Sequence, residues 1–156
     1  MKAILTFHSI DDSGSVLSFP CNTFRRLLEE FTENGISIVS LDKLLLEGTS
    51  NAVTITFDDG MRSVFKSALP VLKAFDAPSH LYLTTGSVGS TNRWPTQPAH
   101  APQFDMMNWQ EIEQCYAAKM SMECHTVSHP DLCQQSPEQI LQECESANDI
   151  IESRLG

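Results

Sequence analysis

Two short stretches of this chain hold the residue types that proton transfer and metal binding require. In Thr56-Phe57-Asp58-Asp59-Gly60 two carboxylates stand side by side, followed by a glycine that lets the chain turn tightly. Adjacent residues leaving a strand point in different directions, so one acid can hold a metal while the other takes a proton. The plainer alternative is that Asp58 caps the next helix and Asp59-Gly60 forms an ordinary turn. In His125-Thr126-Val127-Ser128-His129 two imidazoles lie four residues apart. On a helix that spacing faces both rings one way. Pro130 follows directly and disfavours the helical region at His129, so a loop or strand end is expected instead. Two neutral imidazoles and a carboxylate make the facial set that leaves open positions on zinc or a similar divalent ion.

Residues so far apart in sequence need a scaffold that brings them together. Strands and helices alternate from the start. Ile4–Phe7 is a short apolar run ending at His8. Phe24, Leu27, Leu28 and Phe31 have helical spacing over Thr23–Asn34, with Asn22 or Thr23 as cap and Gly35 as stop. Ile36–Val39 reads as a strand, Leu41–Glu47 as a short helix, and β-branched Val53–Phe57 as a strand. Ser63–Phe75 reads as a helix in which Pro70 must sit near an end or make a kink. Strand Leu81–Thr85 precedes a loop from Gly86 to Met107, and a loop that long inside a compact domain is functional or disordered. Asn108 with Glu111 opens a helix, Met120–Cys124 is a strand, and Ser136-Pro137-Glu138-Gln139 opens a last helix facing the core with Ile140, Leu141, Cys144, Ala147 and Ile151.

This alternation predicts parallel β/α packing, as a barrel or a doubly wound sheet. Sites in such folds collect at the carboxyl ends of strands. His8, Asp58-Asp59 and the His125/His129 pair all fall there, so they are expected on one rim.

Composition narrows the function further. The chain has 156 residues and a formal net charge of −10, with 41% hydrophobic residues, which suits one domain with a real core. No basic stripe argues for nucleic acid, and no apolar run approaches the ~20 residues of a membrane span. Five cysteines without a regular framework read as reduced thiols. No signal peptide is visible at the N-terminus, so a cytoplasmic location is expected.

The Asp58-Asp59 and His125/His129 motifs, in this order and spacing, resemble the first two motifs of the polysaccharide deacetylases (carbohydrate esterase family 4, the NodB-homology domain). Phe7-His8-Ser9-Ile10, Leu81–Thr85 before Gly86, and Asn108-Trp109 before a helix are also similar to that family. The resemblance implies an α/β fold, a distorted (β/α) barrel, and metal-dependent removal of N- or O-acetyl groups from an acetylated carbohydrate. It implies Asp58 as catalytic base, and Asp59, His125 and His129 as ligands of a divalent metal: zinc, or cobalt, nickel or iron. Thr126 or Ser128 would fix the imidazole tautomers. His8 and Trp94 would line the sugar cleft, with Trp109 a second candidate.

Members of the family continue with an Arg-containing motif ending in Pro-Tyr, an Asp-Trp motif and a Leu-x-His motif that supplies a general acid. None of these is found before Gly156. Residues 1–156 are therefore expected to form the N-terminal part, about two-thirds, of such a barrel. Its open edge would favour self-association. Two alternatives stay open: a catalytically silent metal- or sugar-binding module, and a structural zinc site using Cys124 and Cys133 beside the histidines.

Overall fold

The computed structural model describes residues 1–98 and 100–156. Strand β1 (Lys2–Phe7) leads into β2 (Ser9–Ile10), which pairs in parallel with β3 (Ser18–Phe19). Two residues apiece offer no periodicity, so this small pair has no sequence signal. It is held by the Asp11 carboxylate, which gathers the hydroxyls of Ser9 and Ser18 and the amide of Ser13.

Helix α1 (Cys21–Glu33) buries Phe24, Leu28 and Phe31. It starts two residues before the expected Thr23. Pro20 is the N-cap, and the Asp12 carboxylate, not Asn22 or Thr23, accepts the Cys21 amide at 3.0 Å. Strand β4 (Ser37–Ile38) and helix α2 (Leu41–Leu45) precede the long β5 (Ala52–Asp59). The expected helix Ser63–Phe75 divides at its proline: a π-helical turn over Val64–Ala68 runs into α3 (Leu69–Ala74). Pro70 has no N–H to give to the preceding turn, so the regular ladder cannot cross it.

Strand β6 (Ser79–Leu83) and a 3-10 turn (Thr85–Ser87) follow. Helix α4 (Trp109–Ala117) is opened by an Asn108/Glu111 capping box, and α5 (Pro137–Leu155) by a Ser136/Gln139 box, both as expected. Strand β7 (Met120–Cys124) lies between them. Of the expected core face of α5, Ala147 and Ile151 are buried, but Leu141 is 56% exposed. No helix among the described residues is long and apolar enough to cross a membrane.

The main sheet is wholly parallel, in the order β1-β5-β6-β7, with β4 pairing the first residues of β5. Among the described residues β1 and β7 each pair on one side only. β5 is buried along nearly its whole length, as expected of a parallel strand covered on both faces.

Register is what matters for the site. Phe7 lies opposite Phe57, Asp59 opposite Leu83, and Leu83 opposite Cys124. The strands therefore end level with one another, and His8, Asp58-Asp59 and His125 leave the sheet at one rim. Phe7 and Phe57 anchor this end: their rings pack with those of Phe19 and Phe24 under α1, at centroid separations of 5.0–6.0 Å. Because side chains alternate along a strand, fixing Phe7 and Phe57 on the helix side turns His8 and Asp58 to the other.

Candidate metal centre

At the rim the Asp59 carboxylate sits between two imidazoles. Its Oδ1 is 3.5 Å from His125 Nε2 and 3.4 Å from His129 Nε2, and one ligand atom from each of the three residues lies within 4.8 Å of the others. Asp59 is 3% exposed, and its Oδ1 has no hydrogen-bond partner. A buried carboxylate oxygen left so is costly unless a cation satisfies it. Metal–ligand bonds of ~2.1 Å around a tetrahedral centre put ligand atoms ~3.4 Å apart, which matches both Asp–His separations. The donor set fits a divalent cation.

The backbone here is forced. Asp59, Thr126 and His129 have φ of +71°, +68° and +53°, a region costing about 1–3 kcal/mol per non-glycine residue. Thr126 is β-branched, which makes its conformation a true outlier. Among the described residues, three of the six non-glycine residues with positive φ thus fall at one site, and the surroundings must hold them there.

They do so by satisfying the loop's backbone. The amides of His125 and Thr126 reach Leu83 O and Cys124 Sγ. Those of Val127 and Ser128 both donate to Glu143 Oε2 at 2.8 Å, and Ser128 Oγ donates to Glu143 Oε1 at 2.7 Å. The His129 amide donates to Thr126 Oγ1 at 3.0 Å. From the other side Thr84 Oγ1, Thr85 N and Gly86 N donate to the carbonyls of His125, Thr126 and Val127. A Cβ on Gly86 would lie 2.5 Å from Val127 O, so only glycine allows this approach. Thr126 and Ser128, expected to hold the imidazoles, instead bind the loop backbone and Glu143.

Glu143 had a readable signal: it is a carboxylate on the core-facing stripe of α5, three residues after Ile140 and four before Ala147. Partial burial pushes its carboxyl up, and the hydrogen bonds from Ser128 and Val127 more than reverse this, leaving it below the ordinary range. A carboxyl lowered in the folded state stabilises the fold above its unfolded pKa, and that contribution is lost as pH falls through the lowered value. Glu143→Ala is expected to cost about 1 kcal/mol at neutral pH and to weaken metal binding by about 10-fold. Glu143→Gln, which keeps a carbonyl acceptor, should retain most of both while losing that part of the acid dependence. Thermal unfolding at two pH values and a zinc titration read these effects.

Asp58 stands apart from the three-residue group. Its Oδ2 is 4.0 Å from His8 Nε2. Burial pushes its carboxyl up, opposed mainly by His125 and His8. Burial pushes the His125 imidazole down against the pull of Asp58 and Asp59, favouring the neutral form that ligates metals. The Asp59 carboxylate, in contact with it, holds His129 above its usual value.

The group opens into a cleft of about 790 Å³ whose walls include His8, Val16, Asp59, Trp94 and His129. Trp94 thus reaches the cleft as expected, with one ring face against His129. Trp109 packs against the core under Arg154, away from the cleft lining. The cysteine alternative finds no support: among the described residues the metal-competent group contains no cysteine, Cys133 is exposed, and Cys124 Sγ points to Cys144 O at 3.6 Å.

The family described as polysaccharide deacetylase matches residues 46–156. YxkH of Bacillus subtilis (strain 168) is 25% identical over 142 residues, covering 87% of this chain and 46% of that protein, so the chain spans about half the length of that relative. Among solved structures, IcaB from Ammonifex degensii superposes with a TM-score of 0.81 at 21% identity, covering 99% of this chain and 70% of that one. Streptococcus pyogenes deacetylase PplD, in complex with acetate, gives 0.76 at 21% identity over 99% and 68%.

Proposed function

Because this chain belongs to the polysaccharide deacetylase family and has the fold of part of its (β/α) barrel, we propose that it carries the metal site and base of a hydrolase removing acetyl groups from a carbohydrate polymer or oligosaccharide. The observation that carries this reading is the buried, unpartnered Asp59 Oδ1 beside two imidazole nitrogens at the edge of a cleft. Asp59, His125 and His129 hold a divalent cation in this reading, zinc first, with cobalt, nickel and iron compatible with the same donors. When bound, such a cation polarises the acetyl carbonyl and acidifies the attacking water.

The remaining work falls to the chain's own groups. Asp58, outside the ligand group, accepts the proton of the attacking water, and its upward-shifted carboxyl is the stronger base once ionised. His8, 4.0 Å from Asp58, orients that carboxylate. The apolar walls around Val16 and Trp94 shield the reacting bond and receive the sugar.

The test is to load the full chain with zinc and incubate it with an acetylated chito-oligosaccharide. Acetate released in step with new free amines, and suppressed in His125→Ala, is the expected result. Wild-type zinc stoichiometry in His125→Ala would overturn the metal site on which the hydrolase reading rests.

A further inference from the structure

The long segment between β6 and α4 is not a slack loop. Its two arms pair with each other: Gly89 N donates to Met107 O, Met106 N to Ser90 O, and Thr91 bridges Asp105 in antiparallel fashion. Asn92 closes this neck. It is fully buried, its side-chain oxygen accepts the Phe104 amide at 2.7 Å, and its Nδ2 donates to Pro102 O at 3.1 Å. Just beyond the neck, Trp94 and Thr96 both meet a single residue, His129. The indole lies parallel to the imidazole, with centroids 4.3 Å apart and planes 20° apart, and Thr96 Oγ1 donates to His129 O at 3.1 Å. That residue is also held at a φ of +53°, which needs outside support.

We propose that this arm is a clamp that fixes the orientation of the His129 ring, with Trp94 as the positioning residue and Thr96 securing the backbone beneath it. The inference rests on the metal reading above and adds to it a residue that would otherwise pass for a sugar platform. A five-membered ring can turn about its χ2, and the hydrogen bonds that hold the His125–His129 loop, from Leu83–Gly86, Cys124, Thr126 and Glu143, secure its backbone and Ser128 rather than the His129 ring. Stacking on an aromatic face removes that freedom, so Nε2 stays aimed at Asp59. Groups that orient a ligand typically contribute 10–100-fold to metal affinity.

Two readouts test this without reference to turnover. In the metal-free protein, the His129 ring protons should show the upfield ring-current shift of a stacked imidazole. The shift should vanish in Trp94→Leu and survive in Trp94→Phe. In a cobalt titration, Trp94→Leu should bind 10–100-fold more weakly with an altered visible spectrum. Trp94→Phe should stay close to wild type in both, and Thr96→Val should show a smaller loss. Wild-type affinity and spectrum in Trp94→Leu would overturn the clamp, as would an unshifted His129 signal in the wild type. A wild-type chain that binds no cobalt but keeps the ring-current shift would instead refute the metal reading and support the contact.

Discussion

Asp58→Asn is expected to lower the rate of acetate release by about 10²–10⁴-fold while zinc still binds one equivalent per chain. The two adjacent carboxylates do different things because the backbone separates them: Asp58 keeps the alternation of β5 and faces away from the Phe57 ring, whereas Asp59 departs from it at φ +71°. Only Asp59 joins the two imidazoles. Asparagine preserves the shape of Asp58 but cannot take a proton, so the loss should appear in kcat more than in KM. Zinc stoichiometry by elemental analysis and steady-state kinetics on the same preparations separate the roles. Loss of zinc from Asp58→Asn would make Asp58 a ligand, and unimpaired turnover would remove it from the chemistry.

The second large effect concerns stability. In metal-free protein at alkaline pH, where the His129 imidazole that Asp59 holds above its usual value is neutral, Asp59→Asn should unfold at the same temperature as the wild type or higher, because it removes a buried carboxylate oxygen that no hydrogen bond satisfies. Asparagine is also among the residues that best tolerate a left-handed backbone. Zinc at about 100-fold above its dissociation constant should stabilise the wild type by about 2.7 kcal/mol. For a chain of this size that raises the melting temperature by about 5–10 °C. The variant should lose this rise. A metal-free Asp59→Asn protein that melts well below the wild type would mean that Asp59 serves the fold rather than a cation. Calorimetry with and without zinc distinguishes the two.

The parts of the site that lie on regular elements are legible in the sequence. Asp58-Asp59 end a strand with a plain β-branched run, His125 follows one that alternates Met120, Met122 and Cys124 with polar residues, and alternation of strands with capped helices places them on one rim. What escapes is whatever depends on irregular backbone. The β2–β3 pair is too short for periodicity, and Asp12 as acceptor for the start of α1 lies nine residues from Cys21. The neck of the arm is built from Asn92 and backbone pairing, which leave no pattern. Thr126 was readable as a polar neighbour of the histidines, but its left-handed φ and its bond to the His129 amide depend on a turn that composition does not specify. Glu143 lay in view, as an acid on an apolar helical stripe. Its use depends on the packing of α5 against the end of β7, which only the tertiary fold provides.

The level endings of β5, β6 and β7 set which length changes this chain can absorb. One residue added within β5 would advance Asp59 by about 3.3 Å and reverse the facing of every later side chain, separating it from both imidazoles. The same holds for β7 and His125. Insertions and deletions should therefore be tolerated at the opposite ends of these strands, around Gly48–Asn51 and Asp76–Pro78. Ala52–Gly60 and Met120–His129 should be fixed in length, whatever substitutions their apolar positions accept.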